Sequence, residues 1–287
     1  MNCEFDIVKV GSTNGVKVAT YDLGGAGPTM LLSHGNGFHG LCWVPVAEHL
    51  TKRFHCFSFD HRGHGDTPAP KDWKVAWTGY GADAAAVGKS LAQPGGIIGV
   101  GHSMGGATLL LAAAKNPGLF RGLLLYEPIV KPDDLRMPAN RPNALADGAE
   151  RRKSSFKSFE EAMENYSSKM PMAHFTPEAL EAYVRGGFRK GDDGRVHLKC
   201  DPALEAENFR HPEVPQLWKK MPDIDIPVWV LSGHPEPFQP SGFAEAIADR
   251  LPKGNHIEYS DLDHFGPFVD PVRIARIIDT FADTLEP

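Results

Sequence analysis

The sequence predicts an α/β fold: a mostly parallel central sheet flanked by helices on both faces. Three observations carry that expectation. Short apolar runs alternate with helix-length stretches along most of the 287 residues. One apolar run, "IIGVG", passes at once into the helix-like "ATLLLAAAKNP" through the glycine-rich junction "GVGHSMGG". And one long stretch, 131–224, breaks the alternation before the strand rhythm resumes.

The chain opens with "EFDIVKV" and "VKVATYD", two alternating β-branched runs joined by "GSTNG". The Asn-Gly pair in that joint predicts a hairpin. "TMLLSHG", "RFHCFSFDHRGHG", "IIGVG" and "GLLLYEP" follow as buried strands, and "IPVWVLSG" and "NHIEYSDLDH" as two later ones. Between them the spacing of apolar residues predicts helices near 41–51, 79–92, 104–115, 241–251 and 271–284. Residues 131–224 are rich in Lys, Arg, Glu and Pro and hold helical pieces such as "SFEEAMENYSSKM" and "PEALEAYVRGGF", with no long strand signal. A connection that long needs structure and purpose of its own. The expected organisation is therefore a core of 1–130 and 225–287 with a helical insertion, 131–224, between two late strands.

Composition excludes several classes. Apolar residues make up 41% and charged residues 23%, enough for a core in one α/β domain, and the net charge of −6 comes without a basic run interleaved with aromatics, so no nucleic-acid partner is expected. No apolar run is long enough to span a bilayer. Cys3, Cys42, Cys56 and Cys200 form no C-x-x-C pair, and "MNCEFDIVKV" lacks the basic-then-apolar pattern of a signal peptide. Reduced thiols and a cytoplasmic location are the corresponding expectation. His61 and His64 have the spacing of a metal pair, but no further ligand cluster accompanies them, and no metal is expected.

Gly101-His102-Ser103-Met104-Gly105 fits G-x-S-x-G between a strand and a helix. That turn strains the serine backbone and lifts its hydroxyl above the sheet, and the strain demands small residues on both sides. A serine hydroxyl needs a base within reach, and the base needs an orienting group. His264, in the loop between the last strand and the last helix, is the candidate base by position among thirteen histidines. His34, His61, His64 and His102 read as structural hydrogen-bonders. The oxyanion donors expected for this architecture are the backbone N–H groups of Met104 and of Asn36, the latter in the glycine-rich loop "SHGNGFHG".

Taken together, "LLSHGNGFHG", "SFDHRGHGDTPAP", "GVGHSMGG", "PVWVLSGHPEP" and "LDHFGPFVDP" resemble the α/β-hydrolase superfamily, in the serine-nucleophile, cap-containing esterase and lipase-like group. They occur in the family order and cover both ends of the chain, leaving only 131–224 unmatched. The resemblance implies an acid after a "GxxD" pattern in the strand near 230. Here Glu236 stands in that stretch, while Glu127, at the end of "GLLLYEP", is the rival, because some members draw the acid from that earlier strand. Glu236 is the favoured reading and Glu127 the alternative. Asp60 is expected to accept from Arg62 or from backbone N–H groups, and Asp263 to be structural.

The function expected is hydrolysis of a small to medium, largely apolar ester, lactone or related acyl substrate through an acyl-enzyme at Ser103, without a cofactor. Aspartate-nucleophile chemistries, such as haloalkane dehalogenation and epoxide hydrolysis, do not suit a serine. A C–C bond hydrolase, thioesterase, cofactor-free perhydrolase or lyase shares this elbow, and so does a slow-turnover ligand receptor. Phe38 and Phe265, beside the catalytic loops, are the expected substrate-binding residues. Trp43, Trp77, Phe156 and Trp218 are weighed as pocket walls against plain core packing.

Overall fold

A computed structural model describes residues 5–133, 135, 143–212, 214 and 216–285. The opening hairpin is β1 (Ile7–Gly11) and β2 (Lys17–Gly24), antiparallel, with Asn14 in the left-handed region at φ 59° where the turn signal lies. β3 (Thr29–Ser33), β4 (His55–Phe59), β5 (Ile97–His102) and β6 (Phe120–Tyr126) follow. After the 131–224 stretch the sheet is completed by β10 (Val228–Ser232) and β11 (Gly254–Glu258). The order across the eight strands is β1-β2-β4-β3-β5-β6-β10-β11. From β4 to β11 every neighbouring pair is parallel, and only β1 and β2 make antiparallel ladders.

The central strands are apolar on both faces because both are covered. In β3, Leu31 belongs to one core layer, while Met30 and Leu32 belong to the other. β6 repeats the pattern with Leu123 and Leu125 against Leu124 and Tyr126. Side chains two apart on a strand share a face, so an unbroken apolar run feeds both cores. One face is packed by α2 (Trp77–Ser90), α3 (Met104–Lys115) and α9 (Ala244–Arg250), the other by the short α1 (Val44–Ala47) and α11 (Pro271–Asp283). Trp77 and Trp43 are spent in these two cores respectively. The one-turn α10 (Gly266–Val269) lies between β11 and α11, and Pro271 at the first turn and the Asp270 side chain, which accepts from Arg273 N, start α11.

Between β6 and β10 lie α4 (Ala144–Glu150), α5 (Phe159–Ser167), α6 (Pro177–Gly187), α7 (Pro202–Arg210) and α8 (Leu217–Lys220). The helical reading of this stretch needs one amendment. It also holds a small antiparallel sheet, β7 (Ser155–Phe156), β8 (Phe188–Lys190) and β9 (Val196–Leu198), in the order β7-β9-β8. Strands of two or three residues leave no alternation to read. Phe156, one of the weighed wall residues, is fully buried in this part. Phe38 and Cys42 from the core join Phe156, Tyr183, Val184, Phe188 and Phe268 in a third apolar cluster, which seats the stretch on the loops at the carboxyl ends of β3 and β11.

Cys42, Cys56 and Cys200 are free and buried; Cys3 lies outside the described residues. Burial raises the Cys56 thiol to about 12, so it is no nucleophile at neutral pH. No helix among the described residues is long and apolar enough to cross a membrane.

Candidate active site

Ser103 sits between β5 and α3 with φ 56° and ψ −117°, a strained conformation for a residue with a side chain. The flanking glycines explain why the turn closes. A Cβ on Gly105 would lie 2.1 Å from the Ser33 carbonyl oxygen, and one on Gly101 would lie 2.7 Å from Gly106 N. Either would push the elbow off the sheet. Ser103 is 4% exposed, and its hydroxyl makes no hydrogen bond to a described residue, His264 included. Its backbone N–H donates to Tyr126 O at 2.9 Å, tying the elbow to β6.

β6 then places a glutamate next to that elbow. Glu127 follows it directly, with φ 43°, and is 2% exposed. Its Oε2 is 2.6 Å from His264 Nδ1, and its Oε1 accepts from Gly233 N at 2.9 Å. Both carboxylate oxygens are thus occupied. A carboxylate on Nδ1 fixes the proton there and leaves Nε2 as the basic nitrogen. The histidine loop is held from below by Tyr126 Oη, which donates to Asp263 O at 2.7 Å, and by the His102 ring, whose Nε2 is 2.8 Å from His264 O. Asp263 closes its own turn by accepting from Phe265 N.

The geometry therefore puts the alternative acid, and not the favoured one, on the histidine. Glu236 is exposed, its side chain makes no hydrogen bond to a described residue, and its backbone N–H donates to Ser241 Oγ at 3.0 Å. The glycine of the "GxxD"-like stretch has another use. Gly233 hands its N–H to Glu127, and a Cβ there would lie 2.2 Å from Leu262 O. The loop after β10 can approach the histidine loop only without a side chain at that point.

The loop after β3 meets the elbow from the other side. A Cβ on Gly35 would lie 3.2 Å from Ser103 Cβ and 2.9 Å from His102 Nδ1. No hydrogen bond among the described residues uses the backbone N–H of Asn36 or of Met104. The Asn36 side chain, by contrast, is engaged at both ends. Its Nδ2 donates to Glu205 O at 3.0 Å, and its Oδ1 lies 2.8 Å from Asn208 Nδ2 and 3.2 Å from His64 Nε2. Phe38 stacks on Phe268 with centroids 4.8 Å apart and lies 5.2 Å from Tyr183. Phe265 stacks 6.1 Å from Phe38 and stands edge-on to His264 at 5.2 Å. Both expected substrate-binding residues thus border the serine and histidine loops. Trp218 lies away from them, under Arg250.

Sequence reading missed a polar cluster contributed by the 131–224 stretch. Arg152 pairs with Glu205 and also bonds the hydroxyls of Tyr183 and, at 3.2 Å, Tyr166. The cluster lies against the loop after β3. Gly37, at φ 75°, would place a Cβ 2.4 Å from Glu205 Oε1. Its members come from α5, α6, α7 and the residue pair after α4, so no local motif announces it. A groove of about 930 Å³ on the outer side of α7, lined by Gly63, Trp73, Lys199, Leu204, Glu207 and His211 among others, contains none of the residues around Ser103.

Asp60 is fully buried and accepts from Tyr21 Oη, Gly40 N and Asp66 N, so it braces the loop after β3 as expected for a backbone acceptor. Arg62 goes instead to Asp83 in a buried bidentate pair, Nε to Oδ2 at 2.8 Å and a terminal nitrogen to Oδ1 at 2.6 Å. Among the described residues no group of three or more His, Cys, Asp and Glu side chains could hold a metal ion. His61 bonds Ser33 Oγ, and His64 bonds Asn36.

Five histidines around the site, His34, His39, His61, His64 and His102, are buried, and desolvation holds all of them below the ordinary histidine range, His39 and His64 at about 4. His34 fits the neutral form: its Nε2 accepts from His61 N and its Nδ1 faces Gly35 O. A group with a lowered folded pKa contributes stability that is present above its unfolded value, near 6.5, and lost as pH falls below it. Asp60, raised by burial to about 6, acts in the opposite sense and offsets part of this loss. Denaturant titrations from pH 7.5 to 5 should show unfolding free energy falling as the pH is lowered. A flat profile would show that these rings are already protonated in the fold.

The elbow at the end of β5, the acid at the end of β6 and the histidine after β11, all on the carboxyl edge of a parallel sheet, define a class. The profile described as "Alpha/beta hydrolase family" matches residues 30–277, and the chain belongs to that family. It is an α/β hydrolase. Among curated proteins it is similar to the 2-(acetamidomethylene)succinate hydrolase of Mesorhizobium japonicum, 28% identical over 265 residues that cover 90% of this chain and 89% of the relative. It is also similar to the pimeloyl-[acyl-carrier protein] methyl ester esterase of Methylococcus capsulatus, 29% identical over 265 residues, 90% of this chain and 95% of the relative. Among solved structures, E-2-(acetamidomethylene)succinate hydrolase superposes with a TM-score of 0.78 at 23% identity, covering 98% of this chain and all of that one, a likeness of fold.

Proposed function

We propose that the protein is a serine hydrolase that cleaves a small to medium, largely apolar ester, lactone or related acyl substrate, with Ser103, His264 and Glu127 as its triad. The observation that carries the reading is the Glu127–His264 hydrogen bond beside a strained serine whose hydroxyl makes no hydrogen bond to a described residue. Ser103 Oγ adds to the carbonyl carbon while its proton passes to His264 Nε2. The backbone N–H groups of Met104 and Asn36 take the charge that develops on the carbonyl oxygen. His264 returns the proton to the leaving oxygen as the acyl–oxygen bond breaks. Water repeats the sequence on the acyl-enzyme and frees the acid. The 131–224 segment serves as a cap, with Phe38 and Phe265 lining the acyl site beneath it. The names of the two curated relatives, a hydrolase and a methyl ester esterase, support the reaction class.

A fluorophosphonate probe should label the pure protein stoichiometrically at Ser103, and short- to medium-chain p-nitrophenyl esters should be turned over many times per labelled site. Peptides and charged phosphoesters should be poor substrates. Failure to label, or a single turnover without release, would move the protein to the receptor reading. A second reading concerns the substrate's other end. The Arg152, Glu205, Tyr166 and Tyr183 cluster beside Gly37 favours an acyl compound that carries one polar group as well as an apolar body. Comparing esters of equal length with and without a terminal hydroxyl or amide separates the two.

A further inference from the structure

We propose that Asn208, on α7, is a positioning residue for the Asn36 oxyanion donor, so that the donor is set only while α7 is seated on the core. The inference rests on the serine-hydrolase reading and on the role given there to Asn36.

Asn36 is flanked by two glycines. Its peptide cannot be fixed by its neighbours' side chains, and one backbone bond, Phe38 N to Gly35 O at 3.2 Å, closes the turn around it. Its own side chain does the holding, and both of its ends reach α7. Nδ2 donates to the Glu205 carbonyl at 3.0 Å, and Oδ1 accepts from Asn208 Nδ2 at 2.8 Å. The carbonyl at Glu205 fixes which end of the Asn36 amide is nitrogen. That in turn makes the Asn208 atom facing Asn36 a nitrogen, and the Asn208 oxygen accepts from Tyr80 Oη, on α2, at 2.7 Å. Asn36, Asn208, His64 and Tyr80 are between 0% and 9% exposed. A polar chain this deeply buried is costly unless every member is paired, and when paired it specifies one arrangement. The arrangement it specifies runs from the core helix α2 through α7 to the peptide beside Ser103. Loss of an oxyanion donor costs about 10²–10³ in kcat, and misplacing one costs part of that.

The test is Asn208→Asp. It keeps the size and the acceptor for Tyr80 but sets oxygen against oxygen at Asn36. On a p-nitrophenyl ester, kcat should fall by about 10- to 100-fold with KM within about threefold. Affinity for an aryl boronic acid, whose tetrahedral adduct needs the oxyanion donors, should fall by the same factor. Fluorophosphonate labelling should still run to completion, only more slowly. Asn36→Ala keeps the backbone N–H and should match that loss, and the double variant should lose no more than either single one. Tyr80→Phe, which leaves the Asn36 contact intact, should lose less than fivefold. If Asn208→Asp fails to fold, Asn208→Leu gives the same kcat-against-KM comparison with an apolar replacement. A folded Asn208 variant with kcat within twofold of the parent overturns the proposal, as do a loss confined to KM and additive losses in the double variant. A parent protein that neither labels nor turns over esters overturns the serine-hydrolase reading along with it.

Discussion

Ser103→Ala should lower kcat for ester hydrolysis by about 10⁶-fold and abolish fluorophosphonate labelling, while far-UV circular dichroism and the melting temperature stay near those of the parent. The size of the loss follows from the elbow. Gly101 and Gly105 let one side chain stand above the sheet, and that side chain is the serine. Without Oγ no acyl-enzyme forms, and the residual rate comes from the N–H groups and from binding. Alanine fits the same φ of 56° no worse than serine, and the backbone bond from residue 103 to Tyr126 O is retained, so stability should hardly change. Labelling that persists in the variant, mapped to another serine, would refute the assignment.

The second large effect separates two glutamates. Glu127→Gln should lower kcat by about 10⁴-fold, because an amide on Nδ1 can stabilise the wrong tautomer and removes the charge opposite the imidazolium. Glu236→Gln should leave kcat within about twofold, since its side chain touches nothing in the site. The reverse ranking, measured at saturating ester, would mean that the histidine changes partners on binding substrate.

That contrast also marks where the sequence stops being readable. The elbow is legible because a serine held at positive φ requires glycines at fixed offsets. His264 is legible because the loop between the last strand and last helix lies on the carboxyl edge of the sheet, beside the ends of β5 and β6. The acid is not. β6 and the loop after β10 each carry a glutamate, and the "GxxD"-like frame favours Glu236, whereas the carboxylate hydrogen-bonded to His264 is that of Glu127. What decides is which carboxylate reaches Nδ1, and that depends on Glu127 adopting φ 43° and on Gly233 folding its N–H back onto β6. The α2–α7–Asn36 chain is illegible for a plainer reason: Asn36 and Asn208 are 172 residues apart, and Asn208 stands in no motif. The small β7-β9-β8 sheet is too short to show a period.

The hydrogen bond from Glu127 to His264 leaves the loop after β10 with no hydrogen bond to that ring among the described residues. The stretch from His234 to Phe238 is exposed, and Glu236 is tied in only through its backbone, by its N–H to Ser241 Oγ and its carbonyl to Gln239 N. Gly233 is the point where the loop is fastened, by its N–H to Glu127 and its close approach to Leu262. Residues 234–238 should therefore accept a grafted loop of another shape with the Glu127–His264 bond kept, provided that glycine stays.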